Sequence, residues 1–266
     1  MRPVRLVRLV RTALPVRPVR LVRPVRTVRP VRPVRLVRFA AAGMAGYLAG
    51  TVPSADLAVR LAGGADLRST GSGNPGAANA MAVLGPRWGY AVMAADISKG
   101  VVGAGAGRRL AGGAGAHVAG VGAVVGHCLP VWSGGRGGKG VATSVGQCIA
   151  TFPAWSVLDL LVAGAVAASP RWKQRAMTAT AVSCAAWVAA GVLWWRRSLP
   201  NLWGPEPTVA LPVAAAASSA VILWRFAAGR PTRPPAPPRS GDREPREPVP
   251  TGPHTAAAAP LPEGPS

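Results

Sequence analysis

Residues 112–140 read GGAGAHVAGVGAVVGHCLPVWSGGRGGKG and join an apolar run to a glycine-rich basic loop. The apolar run, 112–132, contains no Asp, Glu, Lys or Arg, and its length is close to the ~20 residues that cross a bilayer. The loop, 133–140, contains five glycines together with Arg136 and Lys139. Within hydrocarbon every backbone polar group must be satisfied inside its own helix, so this loop must lie at the membrane interface or line a cavity enclosed by protein. The segment therefore predicts a membrane-spanning helix that ends at a polar site.

The rest of the chain repeats this alternation of apolar windows and short polar loops. Hydrophobic residues make up 49% of its 266 residues and charged residues only 15%, which excludes an ordinary soluble domain. We therefore predict an all-α, polytopic membrane protein of about six to seven transmembrane helices with glycine-rich polar loops between them. The candidate spans are 39–62, 88–108, 112–132, 139–152, 153–169, 176–195 and 207–228.

The two ends of the chain differ in composition from this apolar middle and divide it into three regions. Residues 1–38 form a low-complexity arm of Val-Arg-Pro and Val-Arg-Leu repeats, and 39–228 form the membrane domain. The tail, 229–266, contains twelve prolines and few large apolar residues, so it cannot bury a core and is predicted to be disordered. The arm holds twelve arginines and no acidic residue, and it supplies more than half of the net charge of +22.

Two interpretations of the arm remain open. Its prolines forbid a continuous α-helix, whereas a polyproline II helix would place its arginines on one edge, where they would bind anionic lipid or RNA by charge alone. Alternatively, the strict three-residue repeat is translated upstream DNA, and the true start lies near Met44. We favour the second interpretation. The basic charge is therefore no evidence for a specific nucleic-acid partner.

Three polar islands inside the membrane domain have the composition of a phosphate-binding site. Glycines let backbone N–H groups converge on an anion, and Lys and Arg side chains supply positive charge. Asp96 and Lys99 of the second island are three residues apart, so they would share one face of a helix and form an intramembrane ion pair. The islands are Gly71-Ser72-Gly73-Asn74-Pro75-Gly76-Ala77-Ala78-Asn79, Asp96-Ile97-Ser98-Lys99-Gly100, and Gly126-His127-Cys128-Leu129-Pro130 with Arg136-Gly137-Gly138-Lys139-Gly140-Val141-Ala142-Thr143.

Two nucleotide-binding motifs are close to these islands, and neither fits. The first island satisfies GxGxxG, with Asp96 twenty residues beyond Gly76, but a dinucleotide loop must follow a buried strand and the preceding segment has no β-branched run. The third island is not a Walker loop, because Ser133 stands in place of the leading glycine and Gly140 follows Lys139 in place of Ser or Thr. Both nucleotide-binding classes are disfavoured.

The histidines and cysteines match no catalytic or metal-binding motif. Glycerolipid acyltransferases of the soluble type use a His followed five positions later by Asp, and neither His117 nor His127 has that partner. His127 is therefore not assigned the role of a base, since a lone histidine is more often a hydrogen-bonded core residue. We predict no metal, and interpret as small core residues the cysteines Cys128, Cys148 and Cys184.

The three islands, in this order and embedded in apolar segments, resemble the bacterial membrane glycerol-3-phosphate acyltransferases that use acyl phosphate as donor, the PlsY family. The likeness covers about residues 44–230 and rests on GSGNPGA, DISKG and GHCLP with GGKGVAT. It implies acyl transfer from acyl phosphate to the 1-hydroxyl of glycerol 3-phosphate, which gives lysophosphatidic acid for phospholipid biosynthesis. It also implies a multi-pass protein of the bacterial plasma membrane that contacts the lipid bilayer and needs no cofactor. An acyl phosphate is reactive, so positioning could suffice, with the donor's own phosphate taking the hydroxyl proton.

The site residues are predicted from the islands and the resemblance together. We expect Ser72 and Lys139 to be catalytic. We expect the substrate phosphates to be bound by these two residues and by Arg68, Gly71, Gly73, Asn74, Gly76, Asn79, Asp96, Lys99, His127, Arg136, Gly137, Gly138, Gly140 and Thr143.

Four positions depart from the family pattern. Where the family has Thr, Arg, His and Asn, this chain has Ala78, Ala82, Ser219 and Ile222. Each lost charged hydrogen bond to a phosphate would cost about 1.5–3 kcal/mol. Two alternatives therefore stay open: a catalytically degenerate paralogue that acts as a non-enzymatic membrane partner, and a transporter of a phosphorylated solute. No internal repeat supports the transporter.

Overall fold

The computed structural model describes residues 33–158 and 176–228, and within them every regular element is a helix. The helices are α1 Pro33–Gly50, α2 Ser54–Ala62, α3 Ala77–Leu84, α4 Pro86–Cys128, α5 Val141–Thr151, α6 Ala176–Arg197 and α7 Ala210–Ala228. A 3₁₀ turn lies at Val131–Ser133, and residues 153–158 are also helical. The described ranges contain no strand, which leaves GxGxxG without the strand that a dinucleotide site needs.

Several predictions lie outside the described residues. They are the repeats of 1–32, the tail 229–266, and most of the candidate span 153–169. The last six residues of the predicted arm are described, and they form the first turns of α1. Proline is tolerated in the first turn of a helix, so Pro33 can begin one, and the next proline is Pro53. The helix therefore starts before the predicted boundary at residue 38.

The predicted span 39–62 is wrong as a single helix. The chain leaves α1 after Gly50 and resumes a helix only at Ser54, because Pro53 disfavours the helical conformation at the residue before it. α2 has nine residues, about 14 Å at 1.5 Å per residue, which is too short to cross a bilayer. Its exposed Leu57 and Leu61 and its buried Ser54 give it two unlike faces.

α4 is bent in the middle and contains two of the predicted spans. Ala111 and Gly112 leave helical geometry, and Gly112 has φ 68°, in the left-handed region that favours glycine. The two halves of α4 then pack against each other, since a β-carbon at Gly107 would overlap the Gly115 carbonyl oxygen and the Ala119 side chain. The halves correspond to the candidate spans 88–108 and 112–132. The bend brings the end of α4 back beside its first half.

Small residues let the helices approach closely. Gly46 and Gly50 of α1 lie directly against the carbonyls of Ala119 and Ala123, and Gly126 lies against that of Tyr47, so a methyl group at any of the three glycines would overlap backbone. Such small-residue contacts are the usual packing device between membrane helices. A separate apolar cluster joins α5, α6 and α7, and its members are Cys148, Phe152, Trp187, Ala190, Leu211 and Ala215.

Three stretches of the described helices are long and apolar enough to cross a membrane. They are Pro86–Ser133, Met177–Arg197 and Ala210–Ala228. α5, at 11 residues, is shorter than a full span. A count of six to seven spans stays a prediction.

Candidate active site

A buried charged cluster lies where α2 meets both halves of α4. The Lys99 ammonium donates to Asp96 Oδ1 at 2.7 Å and to Ser54 Oγ at 2.9 Å, and Ser54 Oγ donates to the same Asp96 oxygen at 2.6 Å. His127 Nδ1 lies 3.5 Å from that oxygen. Asp96 is 1% exposed, so its charge is stabilised by these donors rather than by water. The predicted ion pair of Asp96 and Lys99 is confirmed.

Each member of the cluster is positioned by its local structure. Asp96 and Lys99 are three apart on the first half of α4 and so share one face. Ser54 begins α2, and the turn at Thr51–Pro53 places it against that face. His127 lies at the end of the second half of α4, which the bend at Gly112 returns to the first half. Ser54 and His127 are 42 and 31 residues from Asp96 in sequence. The turn at Thr51–Pro53 and the bend at Gly112 bring them into contact with it.

The cluster forms part of the floor of a cavity of about 310 Å³. Ser54, Lys99 and His127 are polar lining residues, and Arg60 and Arg68 add positive charge. The exposed lining residues include Val52, Leu57 and Trp132, which are 52%, 54% and 71% exposed, and also the charged Arg60. The cavity therefore combines a charged floor with a largely apolar mouth.

Two residues of the glycine loop 134–140, Gly137 and Gly138, line this cavity, and α7 holds them in place. Arg225 donates to the carbonyl oxygens of Gly137, at 2.6 Å, and Gly138, at 3.2 Å. Gly138 faces the imidazole edge of His127, where any β-carbon would overlap Nε2. Glycine at this position is required by the close approach of backbone to imidazole.

The sequence predicted backbone N–H groups that are free to bind an anion in the first island and in the glycine loop. This prediction is wrong for most of the amides in these two loops. The amides of Gly137 and Gly138 donate to the carbonyls of Cys128 and His127, each at 3.2 Å. In the first island the amide of Gly73 donates to Thr70 O. Short loops close by such internal hydrogen bonds, which leaves these amides unavailable to an anion. The same holds for Ser72, Gly76, Gly134, Gly135 and Arg136.

Asn79 and Arg68 are occupied within the protein. The Asn79 side chain accepts from the Ser72 amide and donates to the carbonyls of Leu67 and Thr70, so it fixes the first loop. Arg68 forms a two-point ion pair with Asp56 and donates through Nε to the Arg136 carbonyl at 3.0 Å. The hydrogen bond to Asp56 raises the pKa of the Arg68 guanidinium. Arg68 thus joins the first loop, α2 and the glycine loop.

The structure brings together only part of the predicted site. Arg68, Lys99, His127, Gly137 and Gly138 line the cavity, and Asp96 lies behind two of them. The remaining predicted residues lie outside its lining, namely Gly71, Ser72, Gly73, Asn74, Gly76, Asn79, Arg136, Lys139, Gly140 and Thr143.

Ser72 and Lys139, the two predicted catalytic residues, lie apart from the cluster. Ser72 is exposed on the loop between α2 and α3. The Lys139 ammonium lies 4.2 Å from the centroid of the Phe226 ring, and burial lowers its pKa. No carboxylate of the described residues forms an ion pair with it. Arg136 lines a neighbouring cleft with Arg68.

Three functional candidates escaped the sequence reasoning: Ser54, Arg60 and Arg225. Ser54 is a single hydroxyl in an apolar window, and no local pattern links it to Asp96. Arg60 is four residues after Asp56 on α2, a spacing that does signal a shared face. Arg225 lies near the end of the last apolar window, and its contact with the loop depends on tertiary structure.

The four departures from the family pattern also lie outside the cavity lining. Ile222 is 2% exposed and packs in an apolar cluster with Val124, Cys128 and Cys184. The Ser219 hydroxyl is buried.

Among the described residues, no group of three or more His, Cys, Asp or Glu is arranged to hold a metal ion.

Comparison with known sequences defines the class of protein. The family described as Glycerol-3-phosphate acyltransferase matches residues 40–229. A glycerol-3-phosphate acyltransferase of Anaeromyxobacter dehalogenans (strain 2CP-C) is 43% identical over 128 residues, which are 46% of this chain and 63% of the relative. Another, of Rhodopseudomonas palustris (strain HaA2), is 36% identical over 161 residues, 59% of this chain and 77% of the relative. The chain spans about three fifths of the length of the first curated relatives it matches.

Solved structures give the same result. The chain is similar to the glycerol 3-phosphate form of PlsY, an integral membrane glycerol 3-phosphate acyltransferase, with a TM-score of 0.57 and 28% identity over 73% of this chain and 88% of that one. Its lysophosphatidic acid form gives a TM-score of 0.55 at 26% identity, over 71% and 87% of the two chains. The protein is thus a helical membrane protein. It belongs to the glycerol-3-phosphate acyltransferase family of PlsY.

Proposed function

We propose that the protein transfers an acyl group from acyl phosphate to the 1-hydroxyl of glycerol 3-phosphate, as a multi-pass enzyme of the bacterial plasma membrane. The observation that supports this most is the buried cluster of Ser54, Asp96, Lys99 and His127 at the floor of a cavity with an apolar mouth. A long-chain acyl phosphate is apolar at one end and anionic at the other. The two ends of the cavity match the two ends of that donor.

The reaction forms an ester and releases inorganic phosphate. The acceptor hydroxyl oxygen attacks the acyl carbonyl carbon, the bond from that carbon to the phosphate oxygen breaks, and phosphate leaves with the electron pair. Because the donor is a mixed anhydride, holding the two reactants in line supplies much of the rate. Cations at the site would stabilise the charge that develops on the carbonyl and on the leaving phosphate.

We assign the substrate phosphates to cations of the site. Arg60 lines the cavity and forms no ion pair within the described residues, whereas the other two lining cations, Lys99 and Arg68, are paired with Asp96 and Asp56. Lys139 is also proposed to contact a phosphate, because its desolvated ammonium has no carboxylate partner in the described part of the chain and an arriving anion would restore its lost stabilisation. Ser72 and Arg136 are assigned to substrate through their side chains on the sequence pattern, because most of the loop amides and the Asn79 side chain are hydrogen-bonded within the protein.

A direct assay tests the proposal. Purified protein, given palmitoyl phosphate and glycerol 3-phosphate, is expected to form lysophosphatidic acid, detected by mass spectrometry. Lys99→Met removes the cavity cation, and Arg109→Met removes an exposed cation outside the cavity lining as a matched control. We expect Lys99→Met to lose at least tenfold in kcat/KM and the control to keep its activity. A folded wild-type protein that forms no product would contradict the proposal and favour the non-enzymatic alternative.

A further inference from the structure

We propose that the acyl donor docks on α2, where Arg60 binds its phosphate and Leu57 contacts its acyl chain. This rests on the acyl transfer proposed above and names the residues that recognise the donor. The starting observation is the exposed face of α2, which carries a charged edge and an apolar edge side by side.

The spacing of residues along α2 produces these two edges. Residues four apart in an α-helix lie one above the other. Asp56 and Arg60 therefore form one edge, and Leu57 and Leu61 form the next. Both leucines and Arg60 are exposed. The buried face of the helix consists of Ser54, Ala55 and Ala58.

The ion pairs of the site leave the charge of Arg60 without a partner. Asp56, one turn before it, is held at two points by Arg68 from the loop before α3. Lys99 on the cavity floor is paired with Asp96. Arg60 lines the cavity, and no carboxylate in the described part of the chain pairs with it. A phosphate at the mouth would supply the missing counter-charge and would accept two hydrogen bonds from the planar guanidinium.

Leu57 connects the cavity with the outer surface of the protein. It lines the cavity next to Arg60, and Leu61 extends the apolar edge by one turn outside the lining. An exposed apolar edge beside a cationic residue is typical of short helices that lie at the membrane interface. An acyl chain that leaves the cavity over Leu57 would therefore pass into the hydrocarbon of the bilayer.

The two edges together favour the donor over the acceptor. Acyl phosphate carries its phosphate and its apolar chain on opposite sides of the carbonyl carbon, whereas glycerol 3-phosphate has no apolar part. With the phosphate at Arg60 and the chain at Leu57, the donor is held on both sides of the carbon that reacts. The cavity floor is then left for the acceptor. A phospholipid of the bilayer also has an anionic and an apolar part, so the experiment includes it as a competitor.

Binding of a non-reactive donor analogue tests the proposal without relying on turnover. The methylene phosphonate analogue of palmitoyl phosphate has a CH₂ group in place of the bridging oxygen, and the matching methyl ketone has the same chain without the phosphonate. In detergent free of phospholipid, we expect Arg60→Gln to weaken binding of the phosphonate about tenfold and to leave binding of the ketone within twofold. Arg60→Lys keeps the charge and should weaken phosphonate binding less than Arg60→Gln does. Arg109→Gln is the matched control, because Arg109 is exposed and lies outside the cavity lining.

Leu57→Ser tests the apolar edge in the same assay. Because it removes contact with the chain and not with the phosphate, it should weaken binding of the phosphonate and of the ketone alike, by about threefold. Val102→Ser is the matched control, since Val102 is an exposed apolar residue of α4 outside the cavity lining. A Leu57→Ser protein that binds both compounds as the wild type does would remove Leu57 from the docking surface.

Steady-state kinetics provides a second readout of Arg60. Arg60→Gln should raise KM for palmitoyl phosphate about tenfold, with KM for glycerol 3-phosphate within twofold of wild type. The proposal is overturned by a folded Arg60→Gln protein with unchanged phosphonate binding, by a rise in the acceptor's KM alone, or by phosphatidylglycerol that displaces the phosphonate at equal concentration. A wild-type protein that binds the phosphonate through Arg60 and forms no lysophosphatidic acid would contradict the proposed function and leave the docking site standing.

Discussion

Ser54→Ala tests the buried cluster at its least obvious member. The Ser54 hydroxyl donates to Asp96 at 2.6 Å and accepts from Lys99 at 2.9 Å, so alanine removes two hydrogen bonds to charged groups. Such bonds contribute about 1.5–3 kcal/mol each to stability. Ser54 also lines the cavity, so water can replace part of what is lost. We expect the free energy of unfolding to fall by about 2 kcal/mol, roughly a 30-fold change in the unfolding equilibrium.

Unfolding by denaturant in detergent micelles would measure this change. Ser98→Ala is the matched control, because the Ser98 hydroxyl is exposed and donates only to Ala94 O of its own helix. That control should change the free energy of unfolding by less than about 0.5 kcal/mol. Equal effects of the two substitutions would refute the idea that Ser54 stabilises the two charges.

Three further predictions concern the donor, the phosphate and the bend. Trp132→Ala should raise KM for palmitoyl phosphate about fivefold, from about 1 kcal/mol of lost apolar contact, with KM for glycerol 3-phosphate unchanged in steady-state kinetics; a shift in the acceptor's KM alone would contradict it. Lys139→Ala should lower kcat/KM at least tenfold with unchanged folded yield, and a joint loss of expression and activity would point to a structural role. Gly112→Ala should destabilise the fold by about 1–3 kcal/mol in denaturant unfolding, whereas Gly105→Ala should not, because a β-carbon there would meet only the end of the Arg109 side chain, at 3.9 Å.

Local sequence patterns predicted the parts of the fold and site that depend on near neighbours. The spacing of Asp96 and Lys99 fixed their ion pair, because a helix always places residues three apart on one face. The apolar windows 176–195 and 207–228 lie within α6 and α7 apart from a few residues at one end. The window 39–62 failed because hydropathy alone ignores the break that Pro53 imposes.

The distant contacts of the site could not be read from the sequence. Ser54 and Asp96 are 42 residues apart, and nothing near Ser54 marks it as a partner of a carboxylate. The search for a His and an Asp five residues apart found no pair, yet the bend at Gly112 brings His127 to Asp96. The contact between His127 and Asp96 depends on the fold, which a fixed spacing in sequence does not capture.

The glycine loops show a different limit of sequence reasoning. Their composition correctly indicated close backbone approach, as at Gly138 against His127. It also suggested free N–H groups, but the amides of Gly137 and Gly138 close the loop onto the end of α4. Glycine content indicates that backbone comes close to something, and only the fold shows what that partner is.

The acyl transfer itself is tested most directly by following phosphorus. ³¹P NMR of the purified protein with palmitoyl phosphate and glycerol 3-phosphate would record both substrates and both products in one sample. The account predicts that the acyl phosphate signal is replaced by inorganic phosphate and lysophosphatidic acid in equal amounts, at the expense of one glycerol 3-phosphate each. Release of inorganic phosphate with no lysophosphatidic acid, or persistence of both substrates in the presence of folded protein, would contradict it.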